Sequence, residues 1–187
     1  MKIDKLIRKI AFELDKDQIP YMVIGGQAVL ACGIVRNTLD IDITLGVDAG
    51  QLQRVKDICD RTSLKILVAN LEEYVSVHNC FSAEDSSSGM RIDFIFSFTP
   101  YERQAMERTK KISIEGYNIG FASTEDVIIH KAFAGRAIDL EDVKNILVKN
   151  PKLDFAYIKK WLKEFNEIPE CTGVLERFEM ILEDVQE

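Results

Sequence analysis

An α+β fold is the class that this 187-residue sequence predicts. Short apolar runs at Tyr21–Ile24, Ile41–Leu45 and Met90–Phe96 read as strands. Segments with apolar residues at helical spacing lie before and between them, and from Ser123 onward the chain reads as helix alone. The expected organisation is a mixed core over residues 1–122 and a helical C-terminal part over residues 123–187.

Taken in order, Ile3, Leu6, Ile7, Ile10, Ala11 and Leu14 predict an amphipathic helix over residues 2–16. Pro20 ends that segment and Tyr21–Ile24 follows as a buried strand. Gly25-Gly26 breaks it, and Gln27–Cys32 reads as a short, closely packed helix. Asp48 caps a further helix to about Arg61 that buries Leu52, Val55 and Ile58. Leu64–Ala69 and Tyr74–Phe81 read as strands, and Ser82–Gly89 as a polar surface hairpin loop. In Met90–Phe96, Met90, Ile92, Phe94 and Phe96 share one face, while Arg91, Asp93 and Ile95 share the other. Thr99-Pro100-Tyr101-Glu102 is a capping box opening a helix to about Thr109. Lys111–Phe121, with Glu115-Gly116 near its middle, reads as a hairpin, and Ser123 starts the helical part. Its later helices are expected over residues 140–149, 155–166 and 171–185, separated by Pro151 and Pro169.

Composition narrows the function classes. Hydrophobic residues make up 47% and charged residues 29%, the balance of an ordinary globular protein. A net charge of −7 argues against a broad nucleic-acid-binding face, although a local basic patch is compatible with it. Cys32, Cys59, Cys80 and Cys171 are widely spaced and only two histidines are present, so reduced thiols are expected rather than a zinc site or disulfide frame. No apolar run approaches the ~20 residues of a membrane span, and the N-terminus does not read as a signal peptide. A cytoplasmic protein is expected.

The informative stretch runs from Tyr21 to Leu45. Glycines between strand and helix let the backbone approach a ligand, and first-turn N–H groups suit an anion. Asp40 and Asp42 are i and i+2 on a strand, so their carboxylates project from one face, with Cα atoms roughly 6–7 Å apart. Two such acids repel unless a cation sits between them, and oxygen-only ligation suits Mg²⁺ held together with substrate phosphates. Asp93 is an acid on a strand otherwise built for burial, a costly placement unless it is paired or metal-bound. A salt bridge to Arg91 and a metal-ligand role are the two readings of it.

Gly25-Gly26-Gln27-Ala28 followed by Arg36-Asn37-Thr38-Leu39-Asp40-Ile41-Asp42 resembles the nucleotidyltransferases of the DNA polymerase β superfamily. Asp93 matches that family's third carboxylate, and within the superfamily the chain is most similar to small bacterial proteins related to the AbiEii toxins. The resemblance implies a nucleotidyltransferase fold, with a mixed, twisted β-sheet flanked by helices, and a helical C-terminal part that completes the nucleotide site. It further implies transfer of a nucleoside monophosphate from an NTP to a hydroxyl, with release of pyrophosphate. Asp40, Asp42 and Asp93 would be the catalytic residues and the ligands of Mg²⁺ (or Mn²⁺), Asp93 completing the ion that activates the acceptor. Gly25, Gly26, Arg36 and Thr38 would border the nucleotide. Arg36 reaches phosphate or pairs with an acid, and Thr38 holds the turn or positions Asp40. Some members carry serine where this chain has Gly26, so backbone N–H groups must serve there instead. Lys131, followed by Arg136 and Asp139, matches the family's lysine on triphosphate, with Asp139 in or beside the nucleotide pocket. A solvated charge pattern is the plainer reading of that run.

The acceptor stays open between a small molecule, tRNA and a protein, and no membrane partner is expected. A toxin with an antitoxin partner, or a non-catalytic member that binds nucleotide or a partner protein, are the alternatives.

Overall fold

The computed structural model describes residues 2–97 and 99–186. These fall into two compact units, one within residues 2–27 and 37–122, the other within residues 28–36 and 123–186. Each has its own core.

The first unit opens with α1 (Lys2–Lys16), which buries Ile7, Ile10 and Leu14 completely or nearly so. Burying side chains of this size contributes about 1.5–3 kcal/mol each. Strand β1 (Tyr21–Ile24) leads into α2 (Gly25–Ala31), whose first three residues belong to this unit. Then come β2 (Ile41–Leu45), α3 (Leu52–Thr62) and β3 (Leu64–Ile66). A 3₁₀ turn over Ala49–Gln51 precedes α3, and the Asp48 carboxylate caps it by accepting from Gly50 N–H. The unit continues with α4 (Leu71–His78), β4 (Cys80–Asp85), β5 (Arg91–Phe96), α5 (Pro100–Glu107), β6 (Lys110–Ile114) and β7 (Tyr117–Phe121). The capping box at Thr99 forms as expected.

The seven strands make one mixed sheet in the order β3-β4-β5-β2-β1-β7-β6. β1 pairs antiparallel with β2 and parallel with β7, and β2 pairs parallel with β5. Ile41, Ile43, Leu45, Ile92, Phe94 and Phe96 all point into the same core and are essentially inaccessible. That alternation fixes the register, because a slip of one residue would put the aspartates of β2 and β5 into the core.

Two local expectations are corrected. Tyr74–Phe81, read as a strand, is mostly helix α4. Leu71 and Val75, one helical turn apart, are buried together, and Asn79, at φ 51°, ends the helix with its N–H on the Val75 carbonyl. The β-branched and aromatic residues there favour a strand locally, but burial of one helical stripe overrides them. Ser82–Gly89, read as a loop, is strand as far as Asp85. Phe81, Ala83 and Asp85 alternate inward, and Ser82 and Glu84 lie on the other face. Only a tight turn remains, organised by Asp85 accepting from the Ser87 hydroxyl and from Ser88 N–H.

The second unit is helical: α6 (Thr124–Ala134), α7 (Ala137–Lys149), α8 (Phe155–Asn166) and α9 (Val174–Gln186). Ser123 caps α6 by accepting from Asp126 N–H, and the Asp126 carboxylate accepts from the Tyr157 hydroxyl of α8 at 2.7 Å. Ile128, Ile146, Ile158, Leu162 and Phe178 fill its core. The segment Ala28–Arg36, read from sequence as part of the core, belongs to this unit. It is tied there by Asn150 Nδ2 on the Cys32 carbonyl and by Arg36 on Asp142. Among the described residues no helix is long and apolar enough to cross a membrane.

Candidate active site

Strand register alone sets a row of side chains across the face of the sheet opposite the apolar core. Ile24 pairs with Asp42, Asp42 with Asp93, and Asp93 with Ser82, across β1, β2, β5 and β4 in turn. Asp42 and Asp93 are therefore direct neighbours on parallel strands, both partly exposed. Asp40 stands just before the first residue of β2 and is exposed. Gln27 Nε2 approaches its backbone carbonyl at 3.4 Å.

The two glycines are needed where they stand. Gly25 has φ +63°, and a Cβ there would come within 1.9 Å of Asp42 Oδ2. A Cβ on Gly26 would meet Thr38 Oγ1 at 2.5 Å. The backbone of this corner is thus pressed against the Asp42 carboxylate and the Thr38 hydroxyl, so a side chain at either glycine would force its neighbour to shift. Gly25, Gly26, Thr38 and Asp42 come together as one corner of the first unit.

Asp93 is held from the β4 side. Ser82 Oγ donates to Asp93 Oδ1 at 2.5 Å, Arg91 Nε donates to the same oxygen at 2.9 Å, and Arg91 Nη2 donates to Ser82 Oγ at 2.9 Å. The salt bridge read from sequence is present. It raises the Arg91 pKa, first through the hydrogen bond to Asp93 and its charge, with smaller contributions from the charges of Asp40 and Asp42. All three aspartates are therefore within electrostatic reach of one guanidinium. They do not form a ready-made cage: among the described residues, no group of three or more His, Cys, Asp or Glu is gathered to hold a metal ion. Asp40 lies just outside the strand, and Oδ1 of Asp93 accepts from Ser82 and Arg91.

The donor set nevertheless fits a hard divalent ion. It offers carboxylate oxygens only, two of them on register-paired residues, beside a corner from which side-chain bulk is excluded. Mg²⁺ is commonly bound by one or two carboxylates plus substrate phosphates, which asks for no complete protein cage.

Arg36, Lys131 and Asp139 occupy the second unit, where they form a different structure. Lys131 Nζ lies 2.8 Å from Asp139 Oδ1 and 3.0 Å from Asp142 Oδ2. The lysine side chain is 7% exposed and that of Asp139 is fully buried. Arg136 Nε reaches Asp139 Oδ2 at 2.5 Å, and Arg36 Nη1 reaches Asp142 Oδ2 at 2.6 Å. Burial pushes the Asp139 carboxyl upward, but hydrogen bonds from Arg136 and Lys131, and their charges, outweigh it and hold the group below the usual carboxylate range. This is a buried charge network and not a solvated pattern. Of the two roles expected for Arg36, pairing with an acid is the one present, and the Lys131 ammonium is engaged by two carboxylates rather than presented to solvent. Sequence reasoning placed Asp142 only at the start of a helix. It is the residue on which Arg36 and Lys131 converge. Its spacing of three from Asp139 puts both acids on one helix face, which was the available signal.

A groove of the first unit, about 450 Å³ and lined by Lys5, Arg8, Lys9 and Phe12 of α1 among others, shares no residue with the carboxylate row.

No curated protein sequence matches the chain. Several solved structures share its fold. ANT(2'')-Ia in complex with adenylyl-2''-tobramycin is 16% identical with a TM-score of 0.64, covering 89% of this chain and 98% of its own. The lincosamide antibiotic adenylyltransferase LnuA, lincomycin-bound, is 18% identical with a TM-score of 0.51, over 71% of this chain and 89% of its own. An antigenic nucleotidyltransferase-like protein from Paracoccidioides brasiliensis is 14% identical with a TM-score of 0.58, over 93% and 92%. At such identities the likeness speaks for the fold. The family model described as "Nucleotidyltransferase of unknown function (DUF6036)" matches residues 1–181, nearly the whole sequence, and the chain belongs to that nucleotidyltransferase family.

Proposed function

We propose that this nucleotidyltransferase is metal-dependent and transfers a nucleoside monophosphate from an NTP to the hydroxyl of a small molecule, with release of pyrophosphate. The observation that carries the reading is the register pairing of Asp42 with Asp93, beside a glycine corner whose backbone abuts Asp42 and Thr38. Asp42 and Asp93 would hold Mg²⁺ or Mn²⁺, joined by Asp40. A divalent ion bound there would neutralise negative charge on the oxygens of the transferring phosphoryl group and lower the pKa of the attacking hydroxyl. The chain's own contribution is positional. Gly25 and Gly26 admit the phosphate groups close to the backbone, Thr38 Oγ1 offers a hydroxyl to them, and Asp93 orients the acceptor against the phosphorus. Lys131, Asp139 and Arg36 are assigned to shaping the second unit, because their charges are consumed by one another and by Asp142.

A small acceptor is favoured over tRNA by the net charge of −7, which gives little attraction for a polyanion. Two of the structures sharing the fold contain antibiotic moieties, adenylyl-2''-tobramycin and lincomycin. The test is α-labelled NTP with Mg²⁺ in a fractionated cell extract. Label is expected in the low-molecular-weight fraction, at a rate that Asp42→Asn abolishes. Label found only in the RNA or protein fraction would overturn the small-acceptor reading, and label insensitive to Asp42→Asn would overturn the site.

A further inference from the structure

The hydrogen bonds around Asp93 are unevenly placed. Ser82 Oγ and Arg91 Nε both act on Oδ1, and among the described residues Oδ2 makes no hydrogen bond. Ser82 and Arg91 are themselves joined, so serine, arginine and carboxylate close a three-membered ring of hydrogen bonds. Such a ring removes the rotational freedom of the carboxylate about its last bond, because two donors from different strands fix one oxygen and thereby set the direction of the other. Ser82 is the register partner of Asp93 on β4 and Arg91 is its i−2 neighbour on β5, so both donors stand on rigid strands. The Arg91 side chain is 55% exposed, more than that of Asp93 at 25%, so it is poorly placed to serve as a core ion pair and its burial gains the fold little.

We propose that Ser82 and Arg91 are positioning residues. They clamp Oδ1 of Asp93 so that Oδ2 is presented, in a fixed direction, to the divalent ion. This rests on the metal-site reading above. Arg91 also supplies a positive charge beside acids that would otherwise repel one another in the ion-free protein, and Ser82 relays its hold by accepting from the guanidinium while donating to the carboxylate. Partners of this kind behind a ligating carboxylate commonly change metal affinity by roughly 10–100-fold when removed. The opposite role, a guanidinium that competes with the ion for Asp93, would give the opposite sign.

The test is Mn²⁺ titration of the full-length protein without nucleotide, reading free Mn²⁺ by electron paramagnetic resonance. Wild type, Ser82→Ala, Arg91→Met, Arg91→Lys and Asp42→Asn are compared, each checked for native circular dichroism. Ser82→Ala and Arg91→Met are each expected to weaken Mn²⁺ binding by about tenfold or more, with Arg91→Lys recovering part of the loss. Unchanged or tighter binding in Arg91→Met, while Asp42→Asn loses the ion, would overturn the clamp and leave the metal site standing. Absence of Mn²⁺ binding in wild type would overturn the metal reading and the clamp with it.

Discussion

Lys131→Met is expected to destabilise the protein by about 3 kcal/mol, since breaking a buried ion pair by deleting one partner costs roughly 3–5 kcal/mol. The geometry places the value at the low end. Deleting the ammonium strips a cation from two acids whose side chains are 0% and 6% exposed, but Asp139 keeps Arg136 and Asp142 keeps Arg36. For a chain of this length, each kcal/mol corresponds to about 2–4 °C, so Tm should fall by roughly 6–12 °C. The effect has a defined pH dependence. The Asp139 carboxyl is held below its ordinary value in the folded state, so its contribution is fully present above the unfolded value of about 3.9 and is lost as pH falls through the lower folded value. The gap between wild type and variant should therefore be constant above about pH 5 and narrow in acid. Urea denaturation at stepped pH, followed by circular dichroism, measures it. A variant as stable as wild type that has lost affinity for Mg·NTP would refute this reasoning and restore Lys131 to the triphosphate.

Other substitutions separate the roles assigned within the first unit. Asp42→Asn should abolish the thermal stabilisation given by Mg²⁺ plus NTP while leaving the apoprotein as stable as wild type or more so, because one of two neighbouring negative charges is removed; equal stabilisation of both proteins would exclude Asp42 as a ligand. Asp93→Ala should keep much of the NTP affinity and lose on the order of 10²-fold or more in turnover, because positioning and activation of the acceptor depend on it; labelling at the wild-type rate would remove Asp93 from the mechanism. Gly25→Ala should abolish nucleotide-dependent stabilisation, since its Cβ would fall 1.9 Å from Asp42 Oδ2 at a φ of +63°, and a variant with unaltered Mg·NTP affinity would show that the corner yields. Burial pushes the Cys59 thiol up to about 12, so at pH 8 an alkylating reagent should leave it unmodified until the protein is denatured, whereas peptide mapping that finds it alkylated in the native state would contradict its complete burial.

The sequence by itself determined the elements whose local and tertiary preferences agree. The stripe of Ile7, Ile10 and Leu14 makes α1, the Thr99 capping box opens α5, and the alternation of Ile92, Phe94 and Phe96 makes β5. Asp42 and Asp93 stood out because acids on core strands are costly without a partner, Asp40 because it precedes Asp42 by two residues, and Gly25-Gly26 because glycine between strand and helix has few other uses. Tertiary structure decided the rest. Tyr74–Phe81 carries strand-forming residues yet lies mostly in a helix, since burial of Leu71 and Val75 outweighs local preference. Only the pairing of β2 with β5 brings Asp42 beside Asp93, 51 positions apart in the sequence, and only β4 supplies Ser82 to hold it. Arg36 and Asp142 are 106 residues apart, so nothing local foretells that they meet over Lys131. Partners so distant in the chain are chosen by which surfaces can be buried together, and a charge network of this kind becomes visible only once that choice is made.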